Sequence, residues 1–411
     1  MRYIDLNDDV SRQIIVDKEE GQYLGHVTTV LLEDQKTMIA VYPKGHGRGG
    51  IIQKMSFDAG LTWSERMQLP DSFETSMEVP TIYRTYDANG KKRLILFSGL
   101  YPIRMAVSED DGYTWSDLQP ILDYNGIVAM GDCIPLDRPG KYMAMFHDEG
   151  VPRSGDEKSW YTFYRYTAGE KKKFVRYLQL KNEDGSYGER TVEYRSGDMD
   201  VPEENGELIY ETKLGAPNPV RDFHLSKIIS YDGGLTWSQP QVIYHDTRIH
   251  LCEPGMIRLN DGSIAILLRE NARVKHSHII FSYDEGATFT APVELPDCLT
   301  GDRHTCRRLH DGRIAITFRD MGLESETAGD WVMWVGTDED LKNQTEGQYK
   351  FRLKDNFTTS WIGDCGYPGL QILPDDTIVA VTYGHWREWE NGKNQPYILE
   401  VRLNLKEFDE E

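Results

Sequence analysis

Ser56-Phe57-Asp58-Ala59-Gly60-Leu61-Thr62-Trp63 decides how this chain is read, because it recurs. It returns as Ser108-Glu109-Asp110-Asp111-Gly112-Tyr113-Thr114-Trp115, as Ser230-Tyr231-Asp232-Gly233-Gly234-Leu235-Thr236-Trp237, and as Ser282-Tyr283-Asp284-Glu285-Gly286-Ala287-Thr288-Phe289. A fixed Ser-x-Asp-x-Gly-x-Thr-aromatic octet is an internal repeat. Asp and Gly supply a tight turn, because Gly takes positive φ and the Asp carboxylate bonds nearby N–H groups. Ser and Thr add hydroxyl bonds, and the aromatic ring anchors the hairpin on its neighbour. Each octet is therefore a structural staple and not a site of chemistry.

Working outward, each octet is preceded by an apolar strand, an Asp-Gly-like turn and a second apolar strand. Met256 to Arg269 turns at Asp261-Gly262, and Arg307 to Arg319 turns at Asp311-Gly312. The same form runs from Leu370 to Tyr383 around Pro374-Asp375-Asp376 and from Thr29 to Tyr42 around Glu33-Asp34-Gln35. Short β-branched strands joined by tight turns are the signature of meanders. One unit is thus a four-stranded blade, and the chain predicts an all-β, six-bladed β-propeller as a single domain over residues 1–411. Blades begin near Tyr23, Ser76, Ile127, Ile249, Thr300 and Gly363, with a degenerate turn at Thr337-Asp338-Glu339-Asp340 in the fifth. Arg12 to Val16 is expected to close the ring as the last strand of blade six. The first two octets are 52 residues apart, as are the last two, but the middle pair is 122 apart. The excess is a charged, Tyr-containing insertion at about 152–220 within blade three. It either roofs a site or makes a solvated excursion or oligomer contact.

Composition bounds the function. The formal net charge is −21 and hydrophobic residues make up 39%, which argues against nucleic acid and anionic membranes as partners. A local arginine cluster still permits an anionic small substrate. The five cysteines suggest neither a disulfide framework nor a metal site, and no cofactor motif appears. The N-terminus lacks an apolar signal region, so the expectation is a soluble chain, cytoplasmic as written, or periplasmic or secreted if a leader was removed.

Aligned on the first turn, the units place two columns of residues on the innermost strands. The first reads His26, Glu253, Arg303 and Tyr367, with Glu78 and Asp132 by looser alignment. The second reads Tyr42, Arg269, Arg319 and Tyr383, with Ser98 and His147. Such polar rings have no packing logic and are costly to enclose unless they bond each other, water or a ligand.

The octets resemble the Asp-box (BNR) repeats of the sialidase superfamily, over nearly the whole chain. Glu253-Pro254-Gly255-Met256 running on to Arg269 is similar to the segment carrying the sialidase catalytic glutamate and a carboxylate-binding arginine. Gly366-Tyr367-Pro368-Gly369 is similar to the segment carrying its tyrosine nucleophile. The resemblance implies Tyr367 as nucleophile, Glu253 as its base, and Arg269 with Arg319 or Arg303 as clamps on a substrate carboxylate. A neutral tyrosine suits a sugar whose own carboxylate would repel a carboxylate nucleophile.

The sequence also departs from that family. His26-Val27-Thr28 stands where sialidases carry Arg-Ile-Pro. The loop Tyr42-Pro43-Lys44-Gly45-His46-Gly47-Arg48-Gly49-Gly50 has no carboxylate in the place of the acid aspartate. His46, Glu78 and Asp132 are the candidate proton donors. Arg48, His26, Tyr383 and Trp386 are candidate substrate contacts, the tryptophan as a stacking platform or a plug between blades. The expected function is exo-acting hydrolysis of a terminal acidic sugar from a glycan. One alternative is a glycosidase acting on a uronate or rhamnose cap through His/carboxylate chemistry; another is a non-catalytic glycan-binding propeller. Oligomeric state stays open.

Overall fold

In every octet the Ser is the last residue of a strand, and the octet turns the chain into the next one. The computed structural model describes residues 1–149, 159–214, 223–357, 363–386 and 395–409. Ser56 Oγ donates to Asp58 Oδ1 (2.8 Å) and accepts from Gly60 N–H (2.8 Å), while Thr62 donates from both N–H and Oγ to Asp58. The other three octets repeat this pattern. The aromatic residue reaches the preceding sheet: Trp115 Nε1 donates to Gln53 Oε1 (2.8 Å), and Gln53 Nε2 returns a bond to Gly112 O (2.8 Å).

Six sheets follow one another along the chain. Sheet one comprises Thr28–Leu31, Met38–Pro43 and Ile51–Ser56. Sheet two comprises Thr81–Tyr86, Lys92–Ser98, Ile103–Ser108 and Gln119–Leu122. Sheet three comprises Ile127–Pro135, Tyr142–Asp148, His224–Ser230 and Gln241–His245. Sheet four comprises Leu251–Arg258, Ile264–Glu270, His278–Ser282 and Val293–Glu294. Sheet five comprises Gly301–Arg308, Ile314–Asp320, Trp331–Gly336 and Tyr349–Lys354. Sheet six comprises Gly366–Ile372, Ile378–Gly384, Tyr397–Leu403 and the N-terminal Gln13–Asp17, which pairs antiparallel with Tyr397–Leu403.

The apolar faces pack pairwise. Hydrophobic clusters lie between sheets one and two, two and three, three and four, four and five, five and six, and again between six and one. First strands touch in the same cyclic order, down to Gly366–Ile372 against Thr28–Leu31. This is an all-β, propeller-like arrangement in which the first strands line a common axis.

Three expectations are corrected. Sheet one has three strands, not four: beyond its octet the chain gives single bonds, Met67 N–H to Gln53 O (2.8 Å) among them, without a ladder. Arg2–Asp5 adds a fifth strand, parallel, to sheet five. The degenerate turn at Thr337 starts a short helix, Asp338–Asn343, closed by a capping box between Thr337 and Asp340.

The insertion folds as its own antiparallel sheet of Ser159–Ala168, Lys171–Lys181, Tyr187–Gly197 and Glu207–Lys213. It leans on the entry to sheet two, where Met77, Leu100, Tyr161 and Phe163 share a cluster. Thr212 Oγ1 donates to Tyr101 O (2.8 Å), and Lys172 Nζ pairs with Asp71 (2.8 Å). Its ends at 152–158 and 215–220 lie outside the described residues. Among the described residues no helix is long and apolar enough to cross a membrane.

Candidate active site

The innermost strands of sheets three to six each lose register near their start, between Ile127 and Asp132, Cys252 and Gly255, Asp302 and Thr305, and Gly366 and Gly369. At each break one non-glycine residue sits in the left-handed region: Val128 (φ 48°), Glu253 (51°), Arg303 (57°) and Tyr367 (60°). His26 (φ 53°) holds the same place just before sheet one. A β-bulge re-aims one side chain, and left-handed geometry costs a non-glycine residue about 1–2 kcal/mol. The sequence column His26, Glu253, Arg303 and Tyr367 is thus a set of four residues sharing one backbone exception.

Two placements are corrected here, the looser one of Asp132 and the regularly spaced one of Tyr42. The break in sheet three is longer, so Val128 takes the column position and Asp132 falls further along the strand. There its carboxylate accepts the N–H groups of Cys133 and Met256 (both 2.8 Å). It lines a narrow axial cavity with Thr28, Ile82, Arg303, Thr305 and Pro368. The turn of sheet one carries one more residue than that of sheet four: Leu31 faces Met38, whereas Arg258 faces Ile264. One added residue flips a strand's faces. Tyr42 consequently points away from the axis and donates to Asp17 (2.6 Å).

At the centre, the Tyr367 hydroxyl donates to Glu253 Oε1. Arg269 Nη1 lies 2.6 Å from the same oxygen. Glu253 Oε2 is buried and has no hydrogen-bond partner. Burial, then the neighbouring Glu253 carboxylate, pushes the Tyr367 phenol well above its ordinary range, against the pull of Arg269 and Arg319. Tyr367 is therefore a neutral phenol that gives up its proton only to its partner.

Behind this pair lies a carboxylate absent from the sequence-derived set. Asp302, fully buried, sits among Arg269 (Nε 3.0 Å), Arg273 (3.0 and 2.8 Å) and Arg319 (Nε 2.8 Å). Burial opposes its charge, but the three guanidinium groups win and hold it below the usual carboxylate range. Arg303 does not join them; its guanidinium donates to the carbonyls of Gly131 and Met130.

A second network borders the first. His26 stacks on Tyr383 (4.6 Å between ring centres) and meets Tyr367 edge-on (4.5 Å). Its Nδ1 accepts Gly47 N–H (3.0 Å), which leaves the hydrogen on Nε2, facing Tyr383 Oη at 3.3 Å. Burial, then His46, pulls the His26 pKa well below normal, so the ring is neutral at pH 7. Asp364 collects Tyr23 Oη (2.8 Å), His385 Nε2 (2.9 Å), Tyr383 Oη (3.3 Å) and His46 Nδ1 (3.3 Å). Burial raises its pKa, but those donors, His385 first, bring it far below the ordinary range. His46 itself stays two-thirds exposed.

Glu78 is buried beside the glycine-rich loop and accepts Val79 N–H (2.9 Å). A Cβ on Gly47 would lie 3.5 Å from Glu78 Oε1, so the loop backbone approaches this carboxyl closely. Burial raises the Glu78 pKa and Glu253 adds to it, while backbone N–H groups and Arg48 oppose. Trp386 is corrected to the plug: it is 5% exposed, packs against Trp331 (5.8 Å) and donates to Tyr397 O (3.0 Å).

Asp302, Asp364, Arg273 and Tyr23 escaped the sequence reading. A signal existed for the first two, since Gly301-Asp302 and Gly363-Asp364, at or just before the start of the inner strands of sheets five and six, repeat the Gly131-Asp132 dipeptide found within that of sheet three.

No family profile and no curated protein matches the sequence. Solved structures share the fold. A protein of unknown function from Dyadobacter fermentans is 14% identical with a TM-score of 0.57, covering 96% of this chain and 98% of that one. The Penicillium chrysogenum α-L-arabinanase complexed with arabinobiose is 13% identical with a TM-score of 0.57 and the same coverage. The Hadza microbial sialidase Hz136 is 15% identical with a TM-score of 0.51, covering 94% of this chain and 66% of that one.

Proposed function

We propose that the six sheets are the blades of a six-bladed propeller, and that the chain is an exo-acting glycoside hydrolase removing a terminal acidic sugar. The observation that carries this reading is the bond from Tyr367 to Glu253, joining bulge residues of two different sheets, with Arg269 on the same carboxylate oxygen. Nucleophile, base and orienting cation are the parts that covalent catalysis requires. The likeness in fold to an arabinanase and a sialidase agrees with it.

The chemistry follows from the protonation states. The Tyr367 oxygen attacks the anomeric carbon as its proton passes to Glu253. The bond to the aglycone breaks, and the leaving oxygen takes a proton from Glu78, a carboxyl whose hold on its proton burial strengthens. Water then attacks the glycosyl–tyrosine bond from the side of the departed group. Glu78 accepts its proton, and the released phenolate recovers its own from Glu253. Two displacements retain the anomeric configuration. His46, hydrogen-bonded to Tyr23 Oη (2.7 Å) on the exposed rim, sits where an aglycone would leave.

A second reading is favoured by Asp302. Arg269, Arg273 and Arg319 already share a buried carboxylate, which argues against their gripping a 2-keto acid and for a non-sialic sugar such as a uronate or rhamnose cap. The test is a panel of aryl sialosides, uronides and neutral glycosides, with NMR on the released sugar. Turnover with retention is expected, falling at least about a thousandfold in Tyr367→Phe and Glu253→Gln. If no glycoside turned over, or if Tyr367→Phe kept its rate, the enzyme reading would be wrong. Sugar binding that survives both substitutions without any turnover would mark a glycan-binding protein instead.

A further inference from the structure

The insertion carries a buried cation that has no ion pair among the described residues. Arg176, on the strand Lys171–Lys181, is 8% exposed. Its Nη1 reaches only the Met77 sulfur (3.3 Å), a weak acceptor, and its Nε is buried without a partner. Tyr161 and Tyr194 flank the guanidinium at 5.3 and 5.7 Å. Among the described residues no carboxylate stands within ion-pair distance of it, and Glu193 acts on it only from further away. Burying an unpaired charge is expensive, so a guanidinium left this way is held for a partner that arrives from outside.

Its surroundings say where that partner sits. Met77 is the residue before Glu78. Tyr194, beneath Arg176, accepts Gly50 N–H from the glycine-rich loop (3.4 Å). Arg48 lies on that loop between Gly47 (φ 70°) and Gly49 (φ 129°), exposed and likewise without an ion pair among the described residues. Arg48 is close enough to disfavour the charge on Arg176, and it also acts on Glu78. Two guanidinium groups without an ion pair among the described residues therefore border the stretch that carries Glu78, Arg176 through Met77 and Arg48 through the loop at Gly47, in a protein of net charge −21.

We propose that Arg176 and Arg48 form a carboxylate-binding site for an acidic sugar, with the insertion completing the site. This rests on reading the Tyr367–Glu253–Glu78 group as a glycoside hydrolase centre. Charge recognition is thereby moved from the axial arginines, which Asp302 satisfies, to the rim. The guanidinium groups supply charge-assisted bonds, and at Arg176, buried beside the rings of Tyr161 and Tyr194, solvent screens them less than on the open surface.

The test is equilibrium binding of glucuronate and of N-acetylneuraminate to the full chain, followed by NMR, with glucose as the uncharged control. At least one acid is expected to bind more tightly than glucose, and to weaken as salt is raised. Arg176→Met, matched in length to its apolar surroundings, and Arg48→Met should each weaken that acid about tenfold or more, leaving glucose unaffected. Arg48 is exposed, so its variant decides the matter even if Arg176→Met fails to fold. Equal binding of glucose and both acids, or acid binding unchanged in the Arg48 variant, would overturn the proposal. The two readings separate: turnover of aryl glycosides that ignores both arginines sinks only this site, whereas arginine-dependent acid binding without any turnover sinks only the hydrolase.

Discussion

Asp302→Asn should be strongly destabilising although it changes the side chain by little more than one atom. The carboxylate is fully buried and meets Arg269, Arg273 and Arg319 at 2.8–3.0 Å. At an effective dielectric near 20, one such contact is worth about 4 kcal/mol of attraction at 4 Å, but desolvation and repulsion among the three cations cancel much of the sum. Breaking a buried pair by deleting one partner costs about 3–5 kcal/mol, and the loss here should lie in that range. The assay is urea unfolding at pH 7, comparing midpoints at constant slope. Arg273→Ala in the Asn background removes a stranded cation, so the double variant should recover stability over the single one. The pH dependence has a definite sign. The folded pKa of Asp302 lies below its unfolded value, so its contribution is full above about pH 4 and is lost as pH falls through the folded pKa. The gap between wild type and Asn variant should therefore be constant from neutral pH to about pH 5 and narrow only in stronger acid. A cost under about 1 kcal/mol, typical of exposed pairs, or a double variant weaker than the single one, would refute the account of Asp302 as the internal counterion.

Glu400, fully buried beside Trp63 and Arg402, has its pKa raised to about 7, burial outweighing Arg402. For a carboxyl raised in the folded state, stability is present below its unfolded pKa and is lost as pH rises through 7; Glu400→Gln should flatten a decline of up to about 3 kcal/mol between pH 5 and 8, read from thermal midpoints. Trp386→Ala should cost about 3–5 kcal/mol by opening a cavity against Trp331, and sugar affinity measured on the folded fraction should stay unchanged; a selective loss of affinity would return Trp386 to the site.

The fold was legible because its signals are local. An octet of Ser, Asp, Gly and Thr dictates its own turn through bonds spanning four residues, and it does so wherever it occurs. Constant spacing between that turn and the inner strand placed His26, Glu253, Arg303 and Tyr367 on one column, which the backbone marks with the same left-handed bulge. Where spacing varied, the reading slipped: one added turn residue reversed Tyr42, and a longer bulge put Val128 in place of Asp132.

Residue order alone put His26, Glu253, Arg303 and Tyr367 at one position of four inner strands, because repeat length and strand alternation are properties of neighbours along the chain. Which charges meet there was settled by the packing of the sheets against one another. Asp302 satisfies arginines from its own and the preceding sheet, Asp364 gathers two tyrosines and two histidines, and Arg176 arrives on an inserted sheet with no carboxylate in ion-pair reach among the described residues. Electrostatic pairing depends on distance through space and on burial, and neither is written in the order of residues until the sheets have closed around one another.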